Sequence, residues 1–135
     1  MGAYMRQSDW PEIMAECIEA ASRRPFVWGA DDCCLFAADV VLAMTGEDYA
    51  AEFRGKYSTA RGALSALKKY GKGDIEKTLD SKFDRRGFPM RGDVVMAVID
   101  GQQALGICVG TQAVFKGPDG VSFLPLAGLI AWAVD

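Results

Sequence analysis

The twelve residues from Cys33 to Met44 carry one charged side chain, Asp39, in an otherwise apolar run. A helix that is apolar on most sides is stable only when other elements cover it, so this run predicts a central helix with the rest of the chain packed around it. Gly46 supplies the stop. Upstream, Pro25-Phe26-Val27-Trp28-Gly29-Ala30-Asp31-Asp32 reads as an extended aromatic segment, a glycine turn and two acidic residues. Cys33 therefore falls in the first turn of a buried helix, where free N–H groups and the helix dipole favour a thiolate. Cys34, one residue further round the helix, is expected in the core. Asp39 is expected to face solvent or to cap a neighbouring segment.

The remaining chain splits into an early helical part and a late strand part. Ser8 or Asp9 caps a first helix with Pro11 in its opening turn. Trp10, Ile13, Met14, Cys17 and Ala21 form one apolar stripe, in which Cys17 reads as a small buried hydrophobe. That helix should stop near Arg23-Arg24, ahead of Pro25. Residues 47–56 form an acidic, aromatic connector. Ser58 or Thr59 then caps a helix through Ala63, Leu64, Leu67 and Tyr70, closed by Gly71. Ile75 and Leu79 suggest another helical turn or two, and residues 82–87 read as loop.

From Gly92 the period changes. Val94–Ile99 is a β run, Asp100-Gly101 a hairpin turn, Ala104–Val109 a second strand and Ala113–Phe115 a third. Val121–Leu124 and the segment 129–134 complete the set. Helices first and an antiparallel meander afterwards is an α+β order. The whole, residues 1–135, reads as one domain with four parts: 1–24, 25–46, 47–91 and 92–135. Arg91-Gly92-Asp93 is turn chemistry before a strand, not an adhesion signal.

Several function classes are disfavoured by composition. A net charge of −3, a pI near 5.0 and the lack of a dense Lys/Arg patch argue against nucleic acid as a partner. No apolar run is long enough for a bilayer and the N-terminus lacks the core of a signal peptide, so synthesis in a cytoplasm without membrane insertion is expected. There Cys17, Cys33, Cys34 and Cys108 should be free thiols. Met1-Gly2 is not a myristoylation signal, because Arg6 stands where a hydroxyl is needed. The chain has no histidine. That removes the commonest general base, the commonest metal ligand and the usual pH switch at once. The adjacent cysteines lack a second ligand pair, so neither a metal nor another cofactor is implied.

The order Val27-Trp28-Gly29, Asp32-Cys33, Gly92-Asp93, Leu105-Gly106-Ile107, Phe115-Lys116 and Ala131-Trp132-Ala133-Val134 resembles the NlpC-type cell-wall cysteine peptidases, a papain-like group. The likeness covers roughly residues 25–135. Within that group the chain looks closest to a branch found in phages, prophages and gene-transfer particles. The resemblance implies an NlpC-type fold, with the central helix packed on a C-terminal antiparallel sheet. It places the nucleophile at Cys33, the base at Ala104 and the third polar residue at Lys116, with Trp28, Gly29 and Asp32 shaping the cleft and its turn.

Alanine cannot accept a proton, and a lysine with a pKa near 10.4 is a poor shuttle at neutrality. Two main readings follow. One is a catalytically degenerate peptidase-like protein serving as a structural or assembly component of a phage or phage-like tail tip, incorporated in the particle and partnered by other tail proteins. The other is an active cysteine hydrolase cleaving peptidoglycan stem peptides with Cys33. A third is a module that binds a peptide or small molecule in the old cleft.

Overall fold

The computed structural model describes residues 4–135; the Met1-Gly2 reading concerns residues outside that range. Four helices precede the sheet: α1 (Trp10–Ser22), α2 (Cys33–Thr45), α3 (Ala60–Tyr70) and α4 (Ile75–Asp80). Six strands follow: β1 (Arg85–Arg86), β2 (Val94–Ile99), β3 (Gln102–Cys108), β4 (Gln112–Gly117), β5 (Gly120–Pro125) and β6 (Ile130–Trp132). All pairings are antiparallel, in the order β1-β6-β2-β3-β4-β5. The α+β class expected from the sequence is the one observed.

The apolar run becomes the centre of the molecule. Leu35, Phe36, Ala37, Ala38, Val40, Val41 and Met44 of α2 are all buried. They meet Met14 and Ala21 of α1 and, from the sheet, Val94, Leu105, Ile107, Val114 and Trp132. Each large side chain so buried contributes about 1.5–3 kcal/mol. The alternation of a strand sends Val95, Ala97, Cys108, Ala113, Phe115 and Ala131 to a second cluster. Partly buried Ala104, Leu124, Leu126 and Leu129 pack against that cluster.

Local chemistry fixes the helix ends. Gly46 closes α2 in the left-handed region (φ 83°), and its N–H bonds the Leu42 carbonyl. Thr59 caps α3 by accepting the Gly62 N–H at 3.0 Å, and Asp74 caps α4 by accepting the Lys77 N–H at 2.8 Å. Asp9 is the N-cap residue of α1 but makes no side-chain capping bond. The Asp100-Gly101 hairpin has positive φ at both positions, 52° and 77°, as a type I′ turn requires. The Arg91-Gly92-Asp93 triplet is indeed a turn. Asp93 is fully buried, accepts the Met90 N–H at 2.9 Å and is ion-paired with Arg86 at 2.8 Å.

Three expectations are corrected. The strands do not form a simple meander, because β6 returns to lie between β1 and β2. Part of the loop over 82–87 is a strand: Arg85 and Arg86 pair with Trp132 and Ala131, anchored by Arg85 to Asp80 at 2.8 Å. Asp39 does not simply face water. It is half-buried and ion-paired with Arg54 at 2.8 Å, and burial raises its pKa against the pull of that guanidinium.

Candidate thiol site

The site starts from the turn before α2. Gly29 has φ 81°, and a Cβ there would lie 1.8 Å from the Tyr57 carbonyl oxygen, so glycine is required. The turn points the Gly29 N–H at Asp32 Oδ2, 3.0 Å away. Asp32 is the N-cap of α2 and its Oδ1 accepts the Leu35 N–H at 2.9 Å. The Tyr57 hydroxyl donates to Oδ2 at 2.5 Å. With three donors on a 1% exposed side chain, Asp32 is committed as the structural cap of α2. Burial and the Asp32 hydrogen bond together push the Tyr57 hydroxyl far up.

Cys33 is half-buried at the head of α2, and its sulfur lies 3.8 Å from that of Cys34. The Cys33 thiol is lowered, first by a hydrogen bond from the Cys34 thiol, which outweighs the penalty of burial. Hydrogen bonds from the backbone N–H groups of Leu105 and Cys34 act in the same direction. Cys34 is pushed well up by bonding to Cys33 and by burial. The pair is thus biased so that Cys33 loses its proton before Cys34. Cys34 packs against the main core cluster, as expected, but also lines the cleft beside Cys33.

Ala104 precedes the Leu105 whose N–H reaches Cys33, and it lines the same cleft. Its methyl group packs against the second cluster. Lys116, on β4, is buried among α1, the pre-α2 turn and the sheet. Its ammonium donates to the Ala21 carbonyl at 3.0 Å and is ion-paired with Asp31 Oδ1 at 2.9 Å. The other Asp31 oxygen accepts from Arg24 Nε at 2.7 Å. Lys116 thus borders the cleft while its charge is spent on Asp31. Cys33 and Ala104 line the same cleft, and Lys116 joins them in the wall with its ammonium bound to Asp31 and the Ala21 carbonyl.

The cleft has a volume of about 550 Å³. Its walls are mainly aliphatic and aromatic: Phe26 and Trp28 from the turn, Phe53 from the connector, Leu64 and Leu67 from α3, and Ile99 from the hairpin. Phe26 and Trp28 stack edge to face with centroids 4.9 Å apart. Gln103, also in the wall, accepts the Ile75 N–H at 2.9 Å. Reading by sequence missed Tyr57, Arg24 and the α3 wall. Tyr57 and Arg24 carry no signal, since their partners are set by tertiary folding. The Leu64/Leu67 spacing was a visible apolar stripe whose partner was not.

Fold and site together define a class: an α+β protein with a lowered thiol at the start of a buried helix, opening on an apolar cleft. The chain belongs to the family described as Domain of unknown function (DUF6950), whose model matches residues 5–134. No curated protein and no solved structure matches it. No helix among the described residues is long and apolar enough to cross a membrane.

Proposed function

We propose that the chain is an NlpC-type, papain-like scaffold that has lost hydrolytic turnover and serves as a structural or assembly component of a phage or phage-like tail tip. The observation that carries the loss is the proton inventory of the cleft. The thiol at Cys33 stands beside a methyl group at Ala104, and the nearby ammonium of Lys116 is held by Asp31 and the Ala21 carbonyl. Amide hydrolysis needs a group that takes the nucleophile's proton and returns one to the leaving amine. Nothing in the cleft wall does both. The particle assignment rests on the resemblance of the Trp-Gly, Asp-Cys and Leu-Gly-Ile elements alone.

The test has two arms. Purified protein incubated with peptidoglycan should release no stem-peptide fragments, and the protein should be found in purified particles bound to other tail proteins. Release of fragments, or absence from particles, overturns the corresponding half of the proposal.

One observation favours the second reading, an active peptidoglycan endopeptidase. Cys33 is lowered and half-buried on the cleft rather than sealed beneath packed side chains. In that case stem-peptide release is seen with the wild type and abolished by Cys33→Ser. Activity that emerges only in Ala104→His would instead support loss of the base from an otherwise intact cleft.

A further inference from the structure

We propose that the cleft is an acyl-chain site, and that Cys33 accepts a long-chain acyl group from an acyl thioester. The inference rests on the reading of the cleft as intact but non-hydrolytic. It starts from what the walls offer a ligand. The cleft's volume of about 550 Å³ lies within the range of about 300–1,000 Å³ typical of small-molecule sites. Several of its polar side chains are committed elsewhere: Asp32 to three donors, Lys116 to Asp31 and Ala21, Gln103 to the Ile75 N–H, which leaves the buried Tyr49 hydroxyl as an unpartnered polar group of the wall. Lys82 is paired with Glu52 at 2.7 Å. A peptide, with a donor and an acceptor at each residue, would lose its hydration there with few partners in return. A hydrocarbon chain loses nothing and buries apolar surface against Phe26, Trp28, Phe53, Leu64 and Leu67. Arg61, exposed at the mouth of the cleft, is placed to meet an anionic carrier head.

The chemistry of the thiol selects the same ligand class. In transfer from a thioester, the Cys33 thiolate adds to the acyl carbonyl, a new C–S bond forms, and the old C–S bond breaks with the electron pair leaving on the carrier thiolate. No proton need move in either step, because the leaving group is itself a stable anion. Attack on an amide, by contrast, expels an amine that must be protonated. The cleft supplies what the thioester reaction needs, a thiol that faces the apolar wall from the head of α2, its sulfur 3.8 Å from that of Cys34. It lacks the acid–base group that the amide reaction needs. For the same reason the acyl-Cys33 product persists, since no wall residue activates water against it.

The protein is incubated at neutral pH with palmitoyl-coenzyme A and, separately, acetyl-coenzyme A, and followed by intact and peptide mass spectrometry. Palmitoyl-coenzyme A should add one hydroxylamine-labile palmitoyl group on Cys33, at least tenfold faster than on Cys17 or Cys108 and faster than acetyl transfer. Cys33→Ser should abolish it. Ala60→Trp, at an exposed position on the cleft wall, should slow palmitoyl transfer while leaving acetyl transfer unchanged. Urea-unfolded protein should show no preference among its thiols. An iodoacetamide-reactive Cys33 that takes no palmitoyl group overturns the proposal, as does equal transfer of the two acyl groups. It does so without touching the non-hydrolytic reading. Repeated turnover to free palmitate supports the acyl site and overturns the non-hydrolytic reading instead.

Discussion

The Nζ of Lys116 lies 2.9 Å from Oδ1 of Asp31, so one buried ion pair ties β4 to the turn that launches α2. The same ammonium reaches the Ala21 carbonyl at the end of α1. Three segments distant in sequence are held at the point where Cys33 emerges. Removing one partner of a buried pair leaves an uncompensated charge and typically costs about 3–5 kcal/mol. Lys116→Met should therefore destabilise the protein by about 3 kcal/mol in urea unfolding at pH 7, Arg24 still holding the other Asp31 oxygen. Lys116→Met combined with Asp31→Asn should recover part of that loss. A Lys116→Met protein as stable as the wild type would show the pair to be idle.

The same pair predicts an acid limb. Burial works against the Asp31 carboxylate, but Arg24 and Lys116 together hold its pKa below the usual value. A depressed folded-state pKa gives stability that is complete above the unfolded value, about 3.9 for an aspartate, and is lost as pH falls through the folded value. Stability measured between pH 5 and pH 2 should fall less steeply in Asp31→Asn than in the wild type.

Cys33 should alkylate with iodoacetamide at neutral pH faster than Cys17 or Cys108, whose thiols burial pushes up. Cys34→Ala should slow Cys33, because the Cys34 hydrogen bond is the largest influence lowering it. The thiolate fraction at neutral pH falls about tenfold for each pKa unit regained. Rates followed against pH by peptide mass spectrometry distinguish this from a mere change in access.

Tyr57→Phe removes one charge-assisted donor from Asp32 and should cost about 1.5–3 kcal/mol. Asp32→Ala strands three donors and uncaps α2, and should cost more than Tyr57→Phe, in denaturant and in thermal melts alike. Equal losses would place the bond's value wholly in the tyrosine.

Two glycines with the same left-handed backbone should respond differently to alanine. At Gly46 a Cβ meets nothing within 4 Å, so Gly46→Ala should cost about 1 kcal/mol. At Gly29 it would overlap the Tyr57 carbonyl, so Gly29→Ala must displace the Tyr57 backbone and slow Cys33 alkylation as well.

What the chain revealed in advance follows from the range of the forces involved. The buried run 33–44, its Gly46 stop, the Thr59 cap and the Asp100-Gly101 turn are local, and each appears where its residues say. For Cys33 the sequence pointed both ways, its place in the first turn lowering the thiol and the charges of Asp31 and Asp32 raising it, and the main cause of the lowering was not legible. The Cys34 thiol and the Leu105 N–H reach it only through rotamer and tertiary placement. Lys116 was visible as a cation near the site in order, while its commitment to Asp31 depends on how β4 meets the pre-α2 turn. Arg85-Arg86 reads as loop because two residues form a strand only when a partner arrives, and here the partner is Trp132.

The position of β6 imposes an order of events on biosynthesis. The last strand of the sequence occupies an inner slot of the sheet, bonded to β2 on one side and β1 on the other. Until Trp132 has left the ribosome, Val94, Val95 and Met96 present an unpaired apolar edge and the indole that fills the core beside α2 is missing. Until β6 arrives, the nascent sheet must wait with its most adhesive edge open. Its folding is thus committed to a single late closure, and a chain stopped before Ile130 should aggregate rather than yield a smaller folded product.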